Sequence, residues 1–266
     1  YDKGIPLGFT KFDERFSGLG AGKLTILAAD TRVGKSTFAN NIAVNMAMNG
    51  IPVLVFSLEN QPYETVRRVT SIIMDKPFNE ITDNEATAIM DLYEELPIYF
   101  YFAGEKDTNM GTVREVAIQA KKYYDVQAVF IDHIHFFARS INSSAQEISM
   151  LVMQMKRMAV QLGLPVIAIS HISRKDTEGR IPTIHDLKGS SSIEQDADHV
   201  LMLWRDLNPI DDPDKFTDAE RGEYERKQEQ MLVRIHKDRQ GPGFGDFWFT
   251  YNLGTGRVSE GIETVI

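Results

Sequence analysis

The run Ala29-Asp30-Thr31-Arg32-Val33-Gly34-Lys35-Ser36 sets a glycine, a lysine and a hydroxyl in the order that holding a phosphate requires. The apolar run Leu24–Ala28 precedes it and a segment of helical period follows, so a strand should feed a loop that opens a helix. Backbone N–H groups at such a helix start converge on an anion. Lys35 is placed to reach the β and γ oxygens of a nucleotide, and Ser36 to hold Mg²⁺. The pattern G-x-x-x-x-G-K-[ST] is met except at its first position, where Ala29 stands for glycine. That exchange costs backbone freedom if the position needs positive φ. Ala29, Asp30, Thr31, Arg32, Val33, Gly34, Lys35, Ser36 and Thr37 are thus the candidate nucleotide-binding residues, for ATP or another NTP such as dTTP.

Hydrolysis needs more groups than binding does. Val129-Phe130-Ile131-Asp132 is an apolar strand ending in an acid, the usual partner of Mg²⁺ and its water. Val53–Leu58 ends at Glu59, whose carboxylate at a sheet edge could orient or deprotonate water. Pro165–Ser170 ends at His171, a possible donor to a γ-phosphate. Each could merely cap a strand. Three polar strand ends beside one phosphate loop are harder to dismiss together. His133 and His135 suggest a metal pair, but no third ligand stands at a recognisable spacing, and they are read as structural.

The elements that must position these groups show in the apolar pattern. Strands are expected at Leu24–Ala28, Pro52–Ser57, Ile98–Phe102, Gln127–Asp132, Pro165–Ser170, His199–Trp204, Leu232–His236 and Phe247–Tyr251. Helices are expected near 35–49, 62–75, 84–95, 109–124 and 146–162. The first five strands are nearly all apolar, as in a parallel sheet covered on both faces. Alternation with helices predicts right-handed βαβ units, and the last strands, which follow one another directly, predict an antiparallel end. In the last helix Ile148, Leu151, Met155, Met158 and Leu162 form one stripe, read as core.

Composition bounds the rest. The 266 residues carry 29 basic and 38 acidic side chains, a net charge of −9, which argues against nucleic acid as a partner. The acid is unevenly spread, however. Asp206 to Glu229 holds nine acids against four bases, so 206–230 reads as an acidic surface insertion within one domain spanning 1–266. There is no cysteine, no apolar run long enough to span a bilayer and no signal-peptide pattern at the start. A cytoplasmic protein is expected, that of a phage-infected host or an organelle included, with no membrane partner.

These residues resemble the DnaB-like group of hexameric replicative helicases in superfamily 4, which includes the phage primase-helicases. The likeness runs over about residues 4–260, with its motifs in the family's order. The leader Gly4-Ile5-Pro6-Leu7-Gly8-Phe9 precedes the phosphate loop, where DnaB-like members often carry Ala at the first position. Phe56-Ser57-Leu58-Glu59 resembles the strand of the catalytic Glu, and Val129–His133 the Walker B strand. Ile169–Arg174 resembles the strand of the γ-phosphate sensor, with His171 as in the phage type where bacterial enzymes have Gln. Asp186–Asp198 is close to the DnaB pattern, with Lys188 where Arg is usual and Gly189 where an acid is usual.

The resemblance implies a RecA-like fold with a mostly parallel central sheet, and NTP hydrolysis at subunit interfaces of a ring hexamer or helical filament. It implies translocation on single-stranded DNA, 5′→3′, with a primase or loader as a further partner. DNA would lie against Arg174, Lys175, Arg180, Lys188, Gly189, Ser190, Ser191 and Ser192, mainly through phosphates. Lys237 and Arg239 would reach the nucleotide of the neighbouring subunit, Arg239 as an arginine finger; two bases at i and i+2 of an extended segment point the same way. Arg205 and Tyr251 match positions that flank the nucleotide base. A recombination-type or clock-type ATPase, and a nucleotide-gated assembly protein without unwinding activity, remain the alternatives.

Overall fold

Short runs rich in Val, Ile, Leu and aromatic residues pair here into a sheet whose two faces are both covered. The computed structural model describes residues 3–85, 95–103, 108–137, 145–172, 180–187, 190–207, 217–239, 241 and 244–261. The strands are β1 (Leu24–Ala29), β2 (Val53–Ser57), β3 (Ile98–Phe102), β4 (Ala128–Asp132), β5 (Val166–His171), β6 (His199–Trp204), β7 (Gln230–Asp238), β8 (Gly245–Tyr251) and β9 (Val258–Glu260). Their order in the sheet is β3-β2-β4-β5-β1-β6-β7-β8-β9. The first six in that order run parallel, and β6 through β9 pair antiparallel. This is the mixed α/β sheet anticipated from the strand–helix alternation.

The described helices are α1 (Thr10–Arg15), α2 (Lys35–Met48), α3 (Pro62–Met74), α4 (Met110–Tyr124), α5 (Ala145–Leu162), α6 (Ser190–Asp196) and α7 (Asp218–Gln228). Alternate residues of each parallel strand serve opposite faces, as the pleat requires. Leu27, Val53, Val55, Phe130 and Ile167 join one core with Phe38, Ile42 and Met46 of α2. Leu24, Ile26, Leu54, Val129 and Ile131 join the other with Val113 of α4 and Ile148, Val152 and Met155 of α5. The α5 stripe is buried as expected: Ile148, Leu151, Met155, Met158 and Leu162 all belong to the core.

Three elements outside the 206–230 segment were not anticipated. Helix α1 is too short to show a period; the Asp13 carboxylate starts it by accepting the amides of Leu7 (2.8 Å), Gly8 (2.9 Å) and Phe9 (2.9 Å). Helix α6 falls in a run of serines with no apolar stripe. Strand β9 is three residues long, tied down by Asn41, whose side chain accepts from the Val258 amide at 2.9 Å. The expected helix near 84–95 lies mostly outside the described residues. So does much of the segment 206–230. Its described part includes α7, within the connection between the antiparallel neighbours β6 and β7, with Lys227 and Glu223 paired at 2.9 Å on its surface.

Candidate functional site

The phosphate loop sits where β1, the middle strand of the sheet, hands over to α2. Residues with positive φ are Arg32 (66°) and Gly34 (106°), and Gly34 is the N-cap of α2. Ala29 is the last residue of β1, paired in register with His171 of β5. Extended backbone accepts any residue, so the missing glycine at position 29 costs nothing here. The amide of Thr31 donates to Asp30 Oδ1 at 2.6 Å, and the Lys35 ammonium curls back to the Asp30 carbonyl at 2.6 Å. Lys35 is thereby held inside the loop, 5% exposed.

The parallel order β2-β4-β5-β1 brings the other strand ends to the same edge. Asp132 closes β4 opposite Ser57 of β2, and Glu59 follows two residues beyond Ser57. An open cleft of ≈ 350 Å³ results, lined among others by Lys35, Ser36, Thr37, Glu59, Asp132 and His171. That volume lies within the range of small-ligand sites. Inside it the Ser36 hydroxyl donates to the Asp132 carboxylate. Burial pushes the Asp132 carboxyl up to about 6, with the Glu59 charge adding to the rise, while Ser36 and Lys35 pull the other way. Burial, helped by Lys35, lowers the His133 imidazole to about 4. Glu59 is mostly exposed, with Oε2 3.7 Å from His133 Nδ1. The cleft thus has a cation and helix N–H groups for an anion, oxygen donors for a hard metal, and a carboxylate open to water.

Tyr251 and Arg205 divide differently from the expectation that both flank a base. Tyr251 lines the cleft, its hydroxyl 3.4 Å from Thr37 Oγ1. Arg205 is buried behind it. Its guanidinium stacks on the Tyr251 ring at 4.2 Å and donates to the carbonyls of Gln228 (2.7 Å) and Val33 (3.3 Å). It braces the phosphate loop from behind and is not among the residues lining the cleft. Arg68, on α3, does line the cleft and had not been singled out. No sequence pattern marks it, because which side of an amphipathic helix meets a cleft is decided by packing.

Lys237 and Arg239 do not approach this cleft. Strand β7 runs antiparallel to β6, with Asp238 opposite His199, so both bases lie at the far edge of the sheet. The length of β1, roughly 17 Å, separates that edge from the phosphate loop. Lys237 donates to the carbonyls of Glu194 and Ala197, the latter at 2.6 Å, and Arg239 to that of Gln195. Both therefore cap the C-terminal end of α6, where cations are favoured.

Of the residues expected to meet DNA, Arg174, Lys175, Lys188 and Gly189 lie outside the described residues. Ser190, Ser191 and Ser192 form the first turn of α6, and Ser191 is exposed. Arg180 is forked on Asp186 at 2.9 and 2.6 Å. That guanidinium holds the Asp186 carboxyl down at about 2.

Comparison with known proteins fits this geometry. The family model for the DnaB-like helicase C terminal domain matches residues 4–257. A probable plasmid replicative DNA helicase of Chlamydia psittaci is 30% identical over 216 residues, 77% of this chain and 47% of that protein. The replicative DNA helicase DnaC of Bacillus subtilis is 30% identical over 256 residues, 90% of this chain and 53% of that protein. The chain spans about half the length of the curated relatives it matches. A solved DnaB-like replicative helicase, studied with its interactions with primase, superimposes with a TM-score of 0.80 at 25% identity, covering 96% of this chain and 63% of that one. A second solved structure, itself an isolated ATPase domain, shares the fold, with a TM-score of 0.80 at 24% identity over 97% of this chain and 92% of that one. On the family match, which takes in the phosphate loop, the three polar strand ends and the basic pair of β7, this chain belongs to the DnaB-like helicase C-terminal domain family.

Proposed function

We propose that this chain is the motor domain of a replicative DNA helicase, hydrolysing ATP or another NTP at subunit interfaces to move along single-stranded DNA and unwind duplex. The observation that carries the reading is the single cleft lined by Lys35, Ser36, Asp132, Glu59 and His171. Lys35 exchanges the Asp30 carbonyl for the β and γ oxygens. Ser36 with Asp132 would hold Mg²⁺: a hydroxyl and a carboxylate side by side are the hard oxygen donors that ion takes, and when bound it neutralises phosphate charge. Glu59 orients the attacking water and accepts its proton as the bond from the γ-phosphorus to the bridging oxygen breaks. His171, in register with Ala29, donates to the γ-phosphate and senses its loss.

Lys237 and Arg239 serve a neighbour's nucleotide, since their own is a sheet's length away. An arginine supplied in this way accelerates phosphoryl transfer by a factor on the order of 10³–10⁵. Arg174, Lys175, Arg180, Lys188, Gly189, Ser190, Ser191 and Ser192 grip the DNA backbone, and movement runs 5′→3′. A primase is a fitting partner, because a solved relative was studied with one.

The test is turnover against protein concentration, with and without single-stranded DNA. The rate per chain should rise with concentration and rise again with DNA, and Lys35→Ala should abolish both at unchanged circular dichroism. Turnover retained by Lys35→Ala, or a rate per chain indifferent to concentration and DNA, refutes the reading.

A further inference from the structure

His133 and His135 gain in three dimensions the third imidazole that their spacing lacks. His133 follows the end of β4, and His135 stands in the 3₁₀ turn Ile134–Phe137. His171 ends β5, the immediate neighbour of β4 in the sheet. The ring centroids are 4.5 Å apart for His133 and His171, 5.3 Å for His135 and His171, and 5.8 Å for His133 and His135. One ligand nitrogen from each lies within 4.8 Å of the other two.

We propose that His133, His135 and His171 form a binding site for a transition-metal ion of the zinc type, distinct from the Ser36–Asp132 oxygen pair and touching the nucleotide cleft through His171.

The donor chemistry selects the ion. Three imidazoles suit Zn²⁺, Ni²⁺ or Cu²⁺ and do not suit Mg²⁺, which takes oxygen. Zn–N bonds of about 2.0–2.1 Å in a tetrahedron put neighbouring nitrogens roughly 3.3 Å apart. The cluster must therefore contract by at most about 1.5 Å from its present span, within reach of small ring rotations. All three rings are only part-buried, so an ion has access. Three protein ligands leave a fourth position for water, and the Glu59 carboxylate lies 3.7 Å from His133 Nδ1. With no cysteine in the chain, no thiolate site competes for the same metal.

Occupation has a consequence that rests on the proposed role of His171 in hydrolysis. The metal takes His171 away from the γ-phosphate and draws Glu59 off its water, so a bound zinc-type ion stops turnover while Mg²⁺ does not.

The experiment uses the chain without a histidine tag, stripped with chelator. Zn²⁺ alone is titrated calorimetrically without nucleotide, and Co²⁺ is followed by its visible absorption. One ion per chain is expected, with a tetrahedral Co²⁺ spectrum. His135→Ala and His171→Gln should each weaken binding at least ~10-fold, while His185→Ala should not change it. His135→Gln serves if the alanine variant loses its circular dichroism. Absence of stoichiometric binding, or binding that survives both changes, overturns the site. Turnover is then measured with Zn²⁺ in excess Mg²⁺ and ATP. Wild type should be inhibited and His135→Ala should turn over normally and resist. Equal zinc sensitivity of the two overturns the inhibitory consequence. Lack of turnover in wild type given Mg²⁺ and ATP without Zn²⁺ counts instead against the helicase reading, and the calorimetry still decides the metal site.

Discussion

Asp132 is the residue at which the demands of stability and chemistry diverge. Its carboxyl rises to about 6 because burial at the cleft floor disfavours the anion. A carboxyl whose folded pKa lies above its unfolded value weakens the fold once both states have ionised. The penalty is absent below about pH 4, grows through pH 6 and stays constant above it. Asp132→Asn should therefore stabilise the protein by about 1–2 kcal/mol at pH 8, with the gain vanishing as pH falls toward 4. Urea unfolding at several pH values measures it, and turnover should be lost at every pH. A gain that is the same at pH 4 and pH 8 would disprove the burial argument. Lys35, Ser36 and Asp132 could all be picked out in the sequence because a phosphate loop and an apolar strand ending in acid are local patterns. Arg205 was marked only by the family resemblance, and its place behind Tyr251 could not be read: its bonds to the carbonyls of Val33 and Gln228 join residues 172 and 23 positions apart from it.

At the scale of elements, the junction of the phosphate loop with α2 is the most constrained. Gly34 has φ of 106°, and a Cβ there would stand 3.0 Å from the Tyr251 ring and 3.2 Å from the Met231 methyl. Gly34→Ala should cost about 1–2 kcal/mol from the left-handed backbone alone. It should also weaken nucleotide binding at least tenfold, read by fluorescence titration, since the N–H groups that cradle phosphate would turn. Asn109 offers the contrast. Its side chain caps α4 by accepting from the amides of Gly111 (2.8 Å) and Thr112 (3.2 Å), far along the chain from any proposed catalytic group. Asn109→Ala should lose about 1 kcal/mol in urea unfolding with turnover per folded chain unchanged. The long elements were readable because an apolar strand or stripe repeats its signal. Helix α6 was not, because its serines carry no stripe and its end is capped by Lys237 and Arg239 from a distant strand.

At the scale of the whole molecule, the two halves of the proposed catalytic set sit at opposite edges of one sheet. That separation predicts a complementation result. Arg239→Ala and Glu59→Ala proteins should each hydrolyse poorly, by roughly 10³-fold or more for the lost arginine. Mixing them should restore activity, because an Arg239→Ala subunit keeps its Glu59 and can borrow Arg239 from its neighbour. A mixture no more active than its components would rule out action in trans. The net charge of −9 bears on the same scale. Nine acids against four bases fall between Asp206 and Glu229, while 231–240 holds Arg234, Lys237 and Arg239 against Asp238. A single chain should accordingly hold DNA weakly and with strong salt dependence, needing several subunits around one strand.

The sequence by itself determined the chemistry of the phosphate loop, the strand ends Glu59, Asp132 and His171, the stripe of α5 and the mostly parallel sheet. All of these are written in short-range spacing, which periodicity and loop chemistry govern. Only the tertiary structure decided the strand order that sets those ends in one row. It alone put Arg205 behind Tyr251, Arg68 at the cleft, and Lys237 and Arg239 at the far edge. It alone brought His171 to His133 and His135, turning a pair without a third ligand into a cluster of three imidazoles. The physical reason is common to all of these: each depends on which strands become neighbours, and pairing is chosen by the burial of whole faces rather than by any residue's position along the chain.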